Sequence, residues 1–199
     1  SIAMATAVYD NVIYVFGGWN SAASPYFSDE TWVFYPENAA GTRWVHLAAE
    51  LAVPRGYVMS AVHNNKIYAI GGYDAYTTEL ESSNFLEVLD PTDILSGWTT
   101  LSPMPVGLAE SRAFSANIPG VDEFWQNNII VAGGGFWPDQ SSEAMSYDTT
   151  TDTWDQSFSD LITPRRNHGG TFVPIFTEDM EDGLPGLWVF GGRILSDDP

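Results

Sequence analysis

A β-rich run that ends in paired glycines is written four times in this chain: IYVFGGWN at 13–20, IYAIGGYD at 67–74, IIVAGGGFW at 129–137 and LWVFGGR at 187–193. Glycine weakens a strand interior and gives up side-chain packing, so a single such ending would mean little. Four copies constrain the whole fold. The pairs are Gly17 and Gly18, Gly71 and Gly72, Gly133 and Gly134, and Gly191 and Gly192; their first members are 54, 62 and 58 residues apart. Repetition at about 50 residues marks a propeller or a solenoid. Trp44, Trp98 and Trp154 keep the same step, each 20 to 27 residues after a glycine pair.

The runs between these anchors are short and bounded by turn residues, which is a strand signal, and no long helical period competes. Four strands per repeat are expected. Strand a is MATAVYD from Met4, GYVMSAVH from Gly56, RAFSANI from Arg112 and HGGTFVPI from His168, and strand b is the run that closes on the glycines. Strand c is ETWVFYP from Glu30, FLEVLDP from Phe85 and AMSYDTT from Ala144, and strand d starts at each tryptophan. Strand b is apolar almost throughout, as in a strand buried on both faces. Repeated four-stranded antiparallel sheets are blades of a β-propeller, which hides most strand edges by radial repetition. The expected division is one partial propeller domain over 1–199, with blades at 1–50, 51–103 and 104–160 and a half blade, strands a and b only, at 161–199.

The residues carry a resemblance. A β-run ending in Gly-Gly, a Tyr or acidic turn closing strand c, a Trp six to ten residues on and a Pro-Arg before the next blade together resemble the kelch repeat. Tyr147 and Trp154 in SYDTTTDTW, Pro54-Arg55 and Pro164-Arg165 carry the match, and Leu89 departs from it where the family usually places Tyr. The resemblance implies an all-β, kelch-type propeller with about three and a half blades present. Such propellers usually close with six or seven, so the chain is expected to be a fragment or ordered part of a longer protein. The remaining blades of that protein, or a second chain, would then close the ring.

Composition excludes several functions. With 26 acidic residues against 7 basic ones, the net charge of −19 repels a phosphate backbone, so nucleic acid is not an expected partner. The chain has no cysteine, which removes disulfides, thiolate metal sites and a cysteine nucleophile. Its apolar runs are far short of a membrane span. An acidic surface with a single lysine, Lys66, fits an extracellular protein.

Alternation of strand direction places the b–c loops and the d–a connections at the same end of each blade. The b–c loops bring Trp19, Asn20, Tyr73, Asp74, Phe136, Trp137 and Arg193; the d–a connections bring Arg55, Tyr57, Arg112, Arg165, Arg166 and Asn167. Five of six arginines therefore gather among large aromatics, a combination that suits carboxylates or a sugar stacked on a ring. Arg55 and Arg165 belong to the Pro-Arg motif and are expected to be structural. The candidate ligand face comprises Trp19, Asn20, Tyr57, Tyr73, Asp74, Arg112, Phe136, Trp137, Arg166, Asn167 and Arg193. Kelch domains that bind peptides commonly use this face. The opposite end is expected to be acidic, with Glu178, Asp179, Glu181 and Asp182 in one long a–b turn.

His46, His63 and His168 lie in different repeats without ligand spacing, and Asp148, Asp152 and Asp155 lack the glycine and terminal Glu of a calcium loop. No metal and no cofactor is expected. The phrases LAESRAF and PRRNHGGTFVP are similar to secreted fungal kelch proteins of galactose-oxidase-like type, yet the copper-radical cofactor of that class needs a cysteine. The expected function is a binding module for a protein or carbohydrate ligand. The alternative is a carbohydrate-active enzyme, a galactose-oxidase-like oxidase or a sugar mutarotase, with catalytic residues partly in blades outside this chain.

Overall fold

The computed structural model describes residues 2–20, 26–74, 81–115, 123–135, 139–173 and 186–194. The chain divides into two compact units, Ser1–Glu110 and Ser111–Pro199. In the first unit, β1 (Ala5–Tyr9), β2 (Val12–Phe16), β3 (Thr31–Phe34) and β4 (Trp44–Leu47) form an antiparallel sheet in chain order. After β5 (Arg55–Gly56), a second sheet takes β6 (Met59–His63), β7 (Lys66–Ile70), β10 (Leu86–Leu89) and β11 (Trp98–Thr100). Between β7 and β10, β8 (Tyr73–Asp74) pairs with β5 and with β9 (Glu81–Ser82) in a small three-stranded ladder.

Both sheets of this unit open with a two-residue hairpin, and the sequence supplies the residues such a turn needs. Asp10 and Asn11 have φ of 48° and 60°, and Asn64 and Asn65 have 47° and 61°. Tight hairpins require positive φ at both central positions, and Asn and Asp tolerate it best after glycine. The sheets then pack face to face. Ala5, Ala7, Tyr14, Phe16, Val33 and Leu47 of the first meet Ile67, Ala69 and Leu89 of the second, with Leu51 and Val58 between them. Burying each large aliphatic side chain contributes about 1.5–3 kcal/mol, so this layer dominates the stability of the unit.

The second unit holds β12 (Arg112–Ser115), β13 (Asn128–Ala132), β14 (Ala144–Asp148) and β15 (Thr153–Asp155) in one sheet, and β16 (Gly169–Val173) with β17 (Gly186–Phe190) in a hairpin. Every residue of β13 is buried. The long turn between β12 and β13 contains a five-residue helix, α1 (Glu123–Asn127), which strand periodicity did not signal. Leu187 and Val189 pack with Phe114, Ala132 and Ala144. The approach is close: a Cβ on Gly170 would lie 2.7 Å from the Phe114 ring, which explains a glycine inside a strand. The Glu178 to Asp182 cluster lies outside the described residues.

The three four-stranded sheets and the hairpin are all antiparallel, with strands following one another in sequence, and this defines propeller blades. Within each unit the glycine pairs hold the segment that follows the blade. Gly18 donates its N–H to the Arg55 carbonyl (2.8 Å), Gly72 to that of Leu108 (2.9 Å) and Gly134 to that of Arg165 (2.8 Å). Each acceptor lies in the segment leading into the next blade. The first glycine of each of these three pairs sits close against the same carbonyl. At Gly71, with φ of 56°, a Cβ would stand 2.3 Å from the Leu108 oxygen. Only glycine combines that conformation with that approach.

The tryptophans occupy equivalent cross-strand positions. Trp44 pairs with Phe34, Trp98 with Leu89 and Trp154 with Tyr147. Ring centroids are 4.9 Å apart in the first pair and 5.0 Å in the third. At the second, where an aliphatic residue replaces the ring, Trp98 turns to the neighbouring sheet. It packs 4.9 Å from Phe16 and donates Nε1–H to Thr31 Oγ1 at 2.9 Å. The Leu89 departure thus converts a contact within one blade into one between two.

Candidate functional site

Backbone bridges bring together the loops from which the candidate face was drawn. The residue after the glycine pair pairs with the lead-in to strand a in three repeats: Trp19 with Ile2, Tyr73 with Gly56, and Arg193 with Arg166. The last bridge is held in both directions, at 3.1 and 2.8 Å. The residue after each lead-in member has positive φ: Ala3 at 55°, Tyr57 at 56°, Glu110 at 54° and Asn167 at 53°. This turn aligns the repeats independently of side-chain identity. It also makes Arg55, Leu108 and Arg165 equivalent.

In the first unit the bridged loops build an aromatic cluster. Phe27, Tyr73 and Ala109 are buried, and half-buried Trp19 and Tyr57 pack against them. The Tyr57 and Tyr73 rings meet edge to face at 5.4 Å, and Tyr73 donates its hydroxyl to Glu110 Oε1 at 3.4 Å. Asn20 is exposed, Asp74 half-exposed and Tyr73 only 5% exposed. Of the first unit's candidates, Trp19, Asn20, Tyr57 and Asp74 therefore present side-chain surface.

Arg55 lies beneath this cluster as a structural clamp. Its Nε donates to the Val53 carbonyl (3.3 Å), its Nη1 to the carbonyls of Gly71 and Phe85 (3.0 Å each), and its Nη2 to the Glu87 carboxylate. Burial pulls its pKa below the ordinary guanidinium value, and Glu87 pulls it back. Glu87 also accepts the Ala52 N–H at 2.7 Å. The Pro-Arg motif implies a structural Arg55, but no local signal marks its partner, since Glu87 lies 32 residues away in an otherwise apolar strand.

In the second unit Arg112, Asn167 and Arg193 are exposed, whereas Arg166 is 2% exposed. Arg112 donates Nη1–H to the Ser111 carbonyl at 3.0 Å. Arg165 donates to the carbonyls of Thr163 (3.4 Å) and Gly191 (2.9 Å), repeating half of the Arg55 clamp. His168, fully buried, stands against Gly133 and Gly192. Burial first, then the charges of Arg112 and Arg165, lower its pKa to about 4, against the opposing pull of the Ala132 and Arg165 carbonyls. Phe136 and Trp137 lie outside the described residues.

The aspartates of the turn after β14 serve local structure. Asp148 Oδ1 accepts the Thr150 N–H (2.7 Å) and hydroxyl (2.6 Å), Asp152 accepts the Tyr147 hydroxyl (2.7 Å), and Asp155 caps Ser157 (2.8 Å). Asp155 is held below the usual carboxylate range, chiefly by the Ser157 N–H.

Four-stranded blades joined through glycine turns define the chain as a β-propeller protein. The Kelch motif matches residues 3–40 and 54–105. The chain is also similar to two viral proteins, Kelch repeat and BTB domain-containing protein 1 of cowpox virus (strain Brighton Red) and of camelpox virus (strain CMS). Each is 28% identical over 153 and 154 residues respectively, covering 76% of this chain and 23% of the relative. The chain thus spans about a quarter of the length of these relatives. The solved structure of YjhT superposes with a TM-score of 0.62 at 18% identity, over 86% of this chain and 54% of that one. Residues 3–40 and 54–105 thus carry kelch motifs, and the fold resembles that of a kelch-repeat β-propeller.

Proposed function

We propose that this chain is a non-enzymatic kelch binding module whose ligand is a protein presenting carboxylates to the end of the blades formed by the b–c loops and d–a connections. The observation that carries the reading is the Arg166–Arg193 bridge in the second unit, which holds exposed Arg193 beside the turn that exposes Asn167. Exposed arginines in a chain of net charge −19 are an asymmetry that a scaffold does not require. Guanidinium groups recognise carboxylates through paired, charge-assisted hydrogen bonds. In the first unit, Trp19 and Tyr57 offer half-buried rings at the corresponding end, surfaces on which a side chain or sugar ring stacks. Extracellular placement is part of the proposal and rests on the acidic, lysine-poor composition.

A combined peptide and glycan array, probed with the wild type and with Arg112→Ala and Arg193→Ala, tests the reading. Acidic peptides retained by the wild type and lost in either variant support it. Glycan hits with the same sensitivity would replace the protein ligand by a carbohydrate, and hits unchanged in both variants would remove this face. Stoichiometric copper in the full-length protein would overturn the non-enzymatic assignment.

A further inference from the structure

Tyr57 and Glu110 occupy the same place in successive repeats, one residue past the lead-in bridge, and both take the left-handed conformation there, with φ of 56° and 54°. Asparagine and glycine hold that conformation at least cost, and Asn167 does so at the same place in the last repeat. The turn itself does not ask for a tyrosine or a glutamate. Strain kept at such positions points to a use for the side chain.

Tyr73 links the two. Its ring meets that of Tyr57 edge to face at 5.4 Å, and its hydroxyl donates to Glu110 Oε1 at 3.4 Å. Trp19 and Phe27 pack in the same cluster, and Glu110 is only 8% exposed. Trp19 comes from the repeat before Tyr57, Tyr73 from the same repeat, and Glu110 from the entry to the next. The cluster is therefore flanked on both sides by repeats of the first unit.

Its electrical surroundings are the reverse of those in the second unit. The lysines and arginines of the first unit are Arg43, Arg55 and Lys66. Arg55 is buried against Glu87, while Arg43 and Lys66 stand beside the turns that lead into β4 and β7, at the opposite end of the strands. Half-exposed Asp74 adds a second carboxylate next to Tyr73. The face of an aromatic ring carries the negative part of its quadrupole. Rings set among carboxylates repel an anion and attract a cation.

We propose that Trp19, Tyr57 and Glu110 form a subsite for the cationic head of a basic side chain in the ligand, its ammonium or guanidinium lying on the two half-buried rings with the Glu110 carboxylate as counter-charge. A carboxylate shielded from water acts on a neighbouring cation more strongly than one in solvent. The inference rests on the reading of this end of the blades as a ligand face, and it names the group that the first unit takes. Arg112 and Arg193 select carboxylates; this subsite selects the opposite charge.

The probes are blocked tripeptides, Gly-Arg-Gly and Gly-Lys-Gly, with Gly-citrulline-Gly as the neutral isostere of the first, titrated into the 199-residue chain while the Trp19 indole N–H and Tyr57 amide resonances are followed. A saturable shift is expected with at least one cationic peptide, and citrulline should bind about fivefold or more weakly than arginine. Glu110→Gln keeps an acceptor for the Tyr73 hydroxyl and removes the charge, so it should erase the preference for the cation. Tyr57→Leu keeps bulk and removes the ring face, and should weaken binding, whereas Tyr57→Phe should retain it. Absence of a saturable shift with either cation, equal binding of citrulline and arginine, or an unchanged preference in Glu110→Gln would overturn the proposal. Acidic peptides and the Arg112→Ala and Arg193→Ala variants play no part in this titration, so a failure here is distinct from a failure of the carboxylate-binding reading.

Discussion

Arg55 and Glu87 form the one ion pair among the described residues, and neither side chain is exposed at all. Because neither side chain reaches solvent, removing one partner strands the other. Glu87→Leu is expected to cost about 3–5 kcal/mol. The double variant Arg55→Met, Glu87→Leu should recover only part, since the Gly71 and Phe85 carbonyls lose their donor as well. Urea unfolding measures both, and a loss below about 1 kcal/mol for Glu87→Leu would show that the pair is dispensable.

Gly71 and Gly191 are equivalent in sequence and opposite in surroundings. Both have positive φ, 56° and 68°, yet a Cβ on Gly71 meets the Leu108 oxygen at 2.3 Å and one on Gly191 meets nothing within 4 Å among the described residues. Gly191→Ala should cost only the left-handed backbone penalty, about 1–2 kcal/mol. Gly71→Ala must also displace a carbonyl that accepts the Gly72 N–H, and its unfolding midpoint should fall well below that of Gly191→Ala. Equal midpoints would contradict this account of the joint.

Arg166 and Arg193 share a backbone bridge but not an environment. Arg193→Ala should change stability by no more than about 0.5 kcal/mol, as surface substitutions usually do, whereas Arg166→Ala removes a buried side chain and should cost more. Thermal melts of the two variants side by side distinguish them. Reversed sensitivities would exchange their assigned roles and take Arg193 out of the ligand face.

His168 makes the second unit sensitive to acid. Its pKa in the folded state, about 4, is below the unfolded value of about 6.5. The unfolded chain therefore binds the proton first. Stability should be unaffected above the unfolded value, decline as pH falls from there toward the folded value, and show no further loss from this group below it. His168→Val, which places there the residue found at the equivalent Val58, should flatten the difference in melting temperature between pH 7 and 4.5. An unchanged slope would assign the acid response to the carboxylates.

The fold was legible because its determinants are local. Four glycine turns and the tryptophans each announce themselves within a few residues, and strand order follows from sequential antiparallel pairing. What escaped was non-local. Nothing near Glu87 indicates a partner 32 residues earlier, and α1 sits in a turn too short for periodicity to mark. Within the candidate face, Arg166 and Arg193 read alike as sequence, and only the packing around Arg166 separates a buried cation from an exposed one.

The glycine joints also impose an order in time. The turn at Gly18 is closed by the carbonyl of Arg55, that at Gly72 by Leu108 and that at Gly134 by Arg165, so each blade borrows its last hydrogen bond from residues synthesised after it. A chain made from the N-terminus at about 5–20 residues per second holds every new blade unsealed for a few seconds, until its successor's first residues appear. Assembly is therefore vectorial, and the least finished part of a growing chain is always its most recent glycine turn.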